Sequence, residues 1–354
     1  MCLPLWLHLT MEFGIYTLAD LGENPFTKKV PTAPERLKEI IEMAKAADEL
    51  GLDVFGVGEH HRLDYAVSAV PVVLSYIAAQ TKQIRLTSTT TVLSTVDPVR
   101  LYEDFSTLDV LSGGRAEIMA GRGAFIESFP LFGRELNDYD ALFEENVKLF
   151  QQLNAEENVT WQGAFRSPIA RADIAPRAIQ QEIPLWIGVG GTPESATRAG
   201  RLGTGMALAV LGGKPQYFER LVERYDAALQ TAGHSVDQRK VAVTAHTYIA
   251  QTAKEARDAF YPYYTNYWTY VNAQRGQRFH MSRDGFDRAT DATSALMVGS
   301  PEEITEKILM QHELFGHERF LAQLDIGAVP FKEAMKSLEL LATKVMPAVK
   351  KQLT

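Results

Sequence analysis

The chain has 354 residues, 46% of them apolar, a formal charge of −8 and a pI near 5.6. That length can bury a large core as one big domain or two modest ones, while the acidic balance gives none of the basic footprint that a nucleic-acid or anionic-membrane partner needs. The single cysteine, Cys2, excludes an intrachain disulfide and a multi-cysteine metal cluster, so a reducing cytoplasm is the expected location.

Residues 1–10 are apolar but lack the basic residues of a signal peptide, and no later segment has the roughly 20 apolar residues that span a bilayer. Met11-Glu12-Phe13-Gly14 reads as a fresh start into a strand. Residues 1–10 are therefore expected to be an extension outside the fold, and 11–354 one domain.

Phe13 to Thr17 is a short buried strand followed by a Gly/Pro/Asn-rich loop. Pro34 and the periodic set Leu37, Ile40, Ile41, Ala44, Ala47 and Leu50 mark a helix that stops at Gly51. Val54 to Val57 is the next strand, and the alternation continues. Helices are expected over 70–81, 98–111, 141–153, 193–202 and 215–232, strands over 84–93, 115–120, 184–189, 205–210, 241–250 and 320–326, and a closing helix over 331–349. Eight strands interleaved with helices predict a parallel sheet, and the count favours an α/β fold closed into a (β/α)8 TIM-type barrel. Two stretches break the rhythm. Residues 154–183 have strand-turn character and follow strand four; residues 262–298, aromatic and basic, follow strand seven and are expected to form a binding loop or lid.

Four segments at strand ends carry candidate chemistry. In Glu59-His60-His61, adjacent side chains on an extended segment point to opposite sides, so the two histidines do not share a metal ion easily. One of them is better read as a general acid or base with a pKa suited to neutral pH, the other as packing. Gly190-Gly191-Thr192-Pro193 combines glycines that admit a ligand to the backbone with a helix start, a natural phosphate site that a plain helix cap would also explain. Gly121-Arg122-Gly123 ends strand four with a guanidinium that could fork onto a phosphate or pair with Glu117 or Glu127. Ser88-Thr89-Thr90-Thr91 offers hydroxyls for a heterocycle, although strand propensity alone accounts for threonines. In a closed barrel all four ends converge on one mouth.

Gly58-Glu59-His60-His61, Asp97-Pro98-Val99-Arg100 with Glu103-Asp104, Leu108-Asp109-x-Leu111-Ser112-Gly113-Gly114-Arg115, Gly121-Arg122-Gly123 and Leu131-Phe132-Gly133 resemble, in order, the bacterial luciferase-like family of flavin-dependent monooxygenases. The similarity runs from Phe13 to about Leu202, and Val298-Gly299-Ser300-Pro301-Glu302-Glu303 matches again. The resemblance implies reduced FMN at the carboxyl ends of the strands, supplied by a separate flavin reductase, with O2 and a small organic substrate. It implies His60 as the catalytic histidine and Glu59, His61, Thr89, Thr90, Gly121, Arg122, Gly190, Gly191 and Thr192 as cofactor-binding residues. Thr89-Thr90 aligns with a dipeptide often joined by a non-prolyl cis bond. A homodimer through the helices after strands two and three is also implied. Gly121 stands where luciferase has a reactive cysteine, which argues against light emission and a fatty aldehyde substrate. Two alternatives remain: an F420-dependent hydride-transfer enzyme, and a flavin-binding protein without catalysis.

Overall fold

The computed structural model describes residues 11–123 and 125–354, so the expected extension at 1–10 lies outside the described residues. The chain begins with β1 (Glu12–Thr17), α1 (Ala33–Glu49), β2 (Val54–Val57), α2 (Val70–Ala78), β3 (Arg85–Ser88), β4 (Thr91–Val92) and α3 (Pro98–Ser112). It continues through β5 (Ala116–Gly121), α4 (Ser128–Leu131), α5 (Tyr139–Ala155), the hairpin β6 (Asn158–Trp161) and β7 (Ile169–Asp173), β8 (Leu185–Val189) and α6 (Pro193–Arg201). The remainder is β9 (Gly205–Ala209), α7 (Gln216–Thr231), β10 (Val241–Ile249), α8 (Ala253–Gln274), α9 (Arg283–Ala289), β11 (Met297–Gly299), α10 (Pro301–Phe315), β12 (Arg319–Gln323), α11 (Phe331–Leu340) and α12 (Met346–Leu353).

Eight strands pair in parallel in the order β1, β2, β3, β5, β8, β9, β10 and β12, and β12 returns to β1, which closes the barrel. Closure explains why the staves read as near-continuous apolar runs: both faces are covered, one by helices and one by the opposite staves. Tyr16, Val54, Met119, Trp186, Ala207, Ala242 and Leu321 form a cluster of their own inside the staves, apart from the large core under the helices. Local signals set the helix starts. The Thr32 hydroxyl accepts from Glu35 N–H while the Glu35 carboxylate accepts from Thr32 N–H at 2.9 Å, and Asp97 accepts from Val99 N–H at 2.9 Å ahead of Pro98.

The structure departs from the sequence reading in three places. The strand expected over 84–93 is broken at Thr89–Thr90, whose peptide bond is cis, into β3 and the short β4. The aromatic stretch after strand seven is not a loop at its start: Tyr263, Tyr264, Tyr267 and Trp268 lie on α8, a 22-residue helix that runs through Pro262. The last stave ends at Gln323, and Ile326–Ala328 makes a tight 3-10 turn instead of extending it. Among the described residues no helix is long and apolar enough to cross a membrane.

Candidate active site

The carboxyl ends of the staves open onto a cavity of about 490 Å³. His60, Glu59, Thr89, Thr90, Arg122, Gly190 and Ser195 line it together, with Tyr65, Phe125 and Tyr139 beside them. Gly121, Gly191 and Thr192 are not in that lining. A Cβ at position 121 would collide with the Thr90 hydroxyl, so the glycine makes room for the threonine rather than for a ligand. Thr192 reaches the site through its hydroxyl, 2.7 Å from Ser195 Oγ.

His61 faces away. It lines a separate cleft with Ser68, Val72, Thr95 and Phe132, and its Nε2 bonds Glu59 Oε1 at 2.7 Å. The other Glu59 oxygen accepts from Val92 N–H at 3.0 Å. Glu59 therefore ties the end of β2 to the start of β4 and belongs to both cavities. The structure brings His60 to the mouth and packs His61 on Phe132 with its bond to Glu59, the consequence of alternation on an extended segment.

The His60 ring stacks on Tyr65 with centroids 3.9 Å apart and meets the edge of Phe125 at 5.7 Å. Burial between these rings pulls its pKa down to about 4, an effect that Asp64 only partly offsets. A pKa near neutrality, the sequence expectation, does not survive this enclosure. His60 is a neutral imidazole at pH 7, with one N–H to donate and one lone pair to accept. Tyr65, which supplies the stacking face, has no motif to announce it in the sequence.

Across the cavity, Arg122 Nη1 bonds Asp140 at 2.6 Å, Nη2 bonds Ser195 Oγ at 3.0 Å, and the guanidinium lies 4.7 Å from the centre of the Tyr139 ring. Asp140 also accepts from Arg198 at 2.8 Å. Neither Glu117 nor Glu127 is the partner of Arg122. Beside it, Gly191 has φ +126°, and side chains built at Gly190 or Gly191 would meet nothing within 4 Å. Thr192 makes no side-chain cap to α6, but Pro193 has no N–H and Ser195 N–H donates to Thr192 O at 3.1 Å, so of the first turn only the Glu194 amide faces a cation-flanked space without such a bond. This is a fit for a phosphate-bearing cofactor: an arginine held in place, the Ser195 hydroxyl beside it and unobstructed backbone at Gly190 and Gly191.

The opposite wall was foreseen only in part: its share from residues 262–298 was expected as a binding loop or lid, its share from β1, β10 and β12 was not. Tyr16, Thr244, His246 and Gln323 close the cavity from β1, β10 and β12, and Tyr267, Trp268, Val271 and Arg275 close it from α8. His246 and Gln323 are each 1% exposed. A polar residue in the middle of an apolar strand was the available signal, visible in Thr244-Ala245-His246 and at the end of Arg319 to Gln323.

A cavity at the carboxyl ends of closed parallel staves is where barrel enzymes place their chemistry. The pattern of luciferase-like monooxygenases matches residues 11–318, and the chain belongs to that family. It is 24% identical over 357 residues to the oxygenase component of the flavin-dependent trigonelline monooxygenase of Acinetobacter baylyi, which covers 96% of this chain and 95% of that protein. The F420-dependent glucose-6-phosphate dehydrogenase of Amycolatopsis mediterranei is also 24% identical, over 84% of this chain and 95% of its own. Among solved structures, the monooxygenase RslO1 of Streptomyces bottropensis superposes with a TM-score of 0.81 at 26% identity, covering 95% of this chain and 99% of that one.

Proposed function

We propose that the protein is the oxygenase component of a two-component monooxygenase, taking reduced FMN from a separate reductase and using O2 to oxygenate a small organic substrate. The observation that carries this reading is the convergence of His60, Thr89–Thr90 and the Arg122–Ser195–Gly190 corner on one cavity. Full-length likeness to a protein named as an oxygenase component supports the two-component form.

Arg122, the Ser195 hydroxyl and the backbone at Gly190–Gly191 would hold the phosphate, and Thr89–Thr90 with Glu59 would flank the ring system. Reduced FMN, when bound, supplies the electrons that make O2 able to attack a closed-shell substrate. The protein's share is position, proton control and exclusion of water. His60 stays neutral, so it can donate its N–H to a developing oxyanion or accept a proton from a donor without first losing one to solvent. Tyr65, Phe125, Tyr267 and Trp268 line the same space with aromatic rings and limit the water it can hold.

The homodimer belongs to the same proposal. Val72 and Tyr76 on α2 and Leu111 on α3 are 70%, 58% and 65% exposed, an apolar surface on the helices that follow the second and third staves. Cytoplasmic location and a single domain over 11–354 complete the reading.

The test is direct. Purified protein should quench FMN fluorescence, and Arg122→Ala should weaken that binding; unchanged affinity removes the phosphate assignment. F420 is the second reading, favoured by the Amycolatopsis relative. The absorbance of the bound cofactor separates the two, with two bands for flavin and one for the deazaflavin. Oxygen consumption with reduced FMN separates an enzyme from a flavin carrier.

A further inference from the structure

The polar residues that β1, β10 and β12 give the cavity wall are aligned by the barrel. Tyr16 on β1 is the register partner of Gln323 on β12, and Gln323 is the register partner of His246 on β10. In parallel staves, register partners project from the same face, and all three line the cavity. They form a continuous rung across its inner end.

This rung is buried and unsatisfied. Neither Nε2 nor Oε1 of Gln323 has a hydrogen-bond partner, and Nδ1 of His246 has none. Buried side-chain amides in native proteins are almost always paired, so an amide with both ends open inside a cavity marks the place of a ligand. The surroundings limit the ligand's shape. Leu18, Met119 and Ala207 are apolar, and Tyr267 and Trp268 present ring faces, with His246 perpendicular to Tyr267 at 5.3 Å between centroids. Charge limits it further. The ionic residues of the lining, Glu59, Arg122 and Arg275, stand at the ends of β2, β5 and α8, and none belongs to the rung. Burial also keeps His246 uncharged by pulling its pKa down to about 3. A carboxylate or ammonium seated there would be desolvated without a counter-charge.

We infer that the Gln323–His246 rung is the substrate-recognition subsite, and that it selects a neutral, flat, cyclic molecule whose carbonyl or carboxamide head pairs with the open Gln323 amide. This rests on the flavin reading in one respect: the cofactor is taken to fill the opposite side, from Arg122 to Thr89–Thr90. A head group of that class holds the ring of the substrate between the aromatic faces of α8 and the cofactor side.

Calorimetric titration with benzamide, benzoate and ethylbenzene, on the protein alone and on the protein with FMN, reads the subsite. Benzamide should bind about tenfold or more tightly than either analogue, because ethylbenzene leaves the amide unpaired and benzoate buries a charge. Gln323→Leu should erase the preference and leave FMN affinity unchanged. The proposal is overturned if benzamide does not bind, if ethylbenzene or benzoate matches it, or if Gln323→Leu weakens FMN, which would give the rung to the flavin ring. The wild-type ranking decides even if the variant does not fold. Failure of FMN to bind would sink the flavin reading alone, since the titrations without FMN still score the rung.

Discussion

The ion-pair network at the amino ends of the staves and the rung at their carboxyl ends treat buried polar groups in opposite ways. At the amino ends of the staves, Glu117 accepts from Arg319 Nη1 at 2.6 Å and Nη2 at 3.1 Å and is also bonded by Arg85, while Arg319 Nε bonds Glu12 at 2.7 Å and its guanidinium stacks on Trp186 at 4.5 Å. Burial alone would raise the Glu117 carboxyl, but the two arginines outweigh it and hold the pKa below the usual range. Every charge there has a partner. At the carboxyl ends, Gln323, His246 and Thr89 keep buried polar atoms open. A closed network stabilises and asks for nothing further; an open one is stabilised only by what comes in. The difference separates a network that holds the barrel shut from a wall proposed to bind.

The contrast can be broken most forcefully at the closed end. Glu117→Ala strands Arg319 and Arg85 in a buried site and should cost about 3–5 kcal/mol, measured as a fall in the urea midpoint. A loss below about 1 kcal/mol would mean that the network is solvated and the contrast false.

Acid should act next. Buried His60, His246 and His317 have pKa values lowered to about 4, 3 and 3, so the unfolded chain binds more protons than the folded one as pH falls through 6.5. Stability is then full above about pH 7 and is lost on acidification, by about 2 kcal/mol in total from pH 7 to 6. Asp20, raised to about 6 mainly by burial, works in the opposite direction and trims the loss slightly. A urea midpoint that holds or rises over that interval would contradict neutral, buried imidazoles.

Arg122→Ala should weaken FMN by roughly 10- to 100-fold, the worth of a charge-assisted contact to phosphate. The smallest effect sharpens the contrast most. Gln323→Leu removes an unpaired amide rather than a bond, so stability should change by about 0.5 kcal/mol or less in either direction. A large destabilisation would show that the rung is structural.

Much of the barrel was legible in the sequence because closure makes each stave a local signal: an apolar run bounded by turn residues and followed by a helix. The boundaries that failed are those where a local rule was overridden. The stretch from 262 was expected as a loop, yet α8 runs through Pro262, which has no N–H to donate; the Thr252 and Glu255 capping box upstream marks the helix start. Thr89–Thr90 sat inside a uniform Thr-rich strand pattern with no mark of a turn; the cis bond there was implied by the family resemblance alone, and the structure has it. At the site, Arg122 and His60 were found through their neighbours, Gly121 and Gly123 for one and the strand end for the other. His246 and Gln323 had no motif at all. They become a unit only through register between staves whose sequence positions are 77 residues apart, as the pairing of His246 with Gln323 records.

Glu59 has a consequence for how the inside of the molecule meets its outside. One carboxylate oxygen receives His61, which stands in the cleft beneath α2 and α3, and the other receives the Val92 amide just past the cis peptide. Whatever settles on that outer cleft leans on a side chain that is also a wall of the barrel cavity. A single acid thus joins the helical flank to the interior of the barrel.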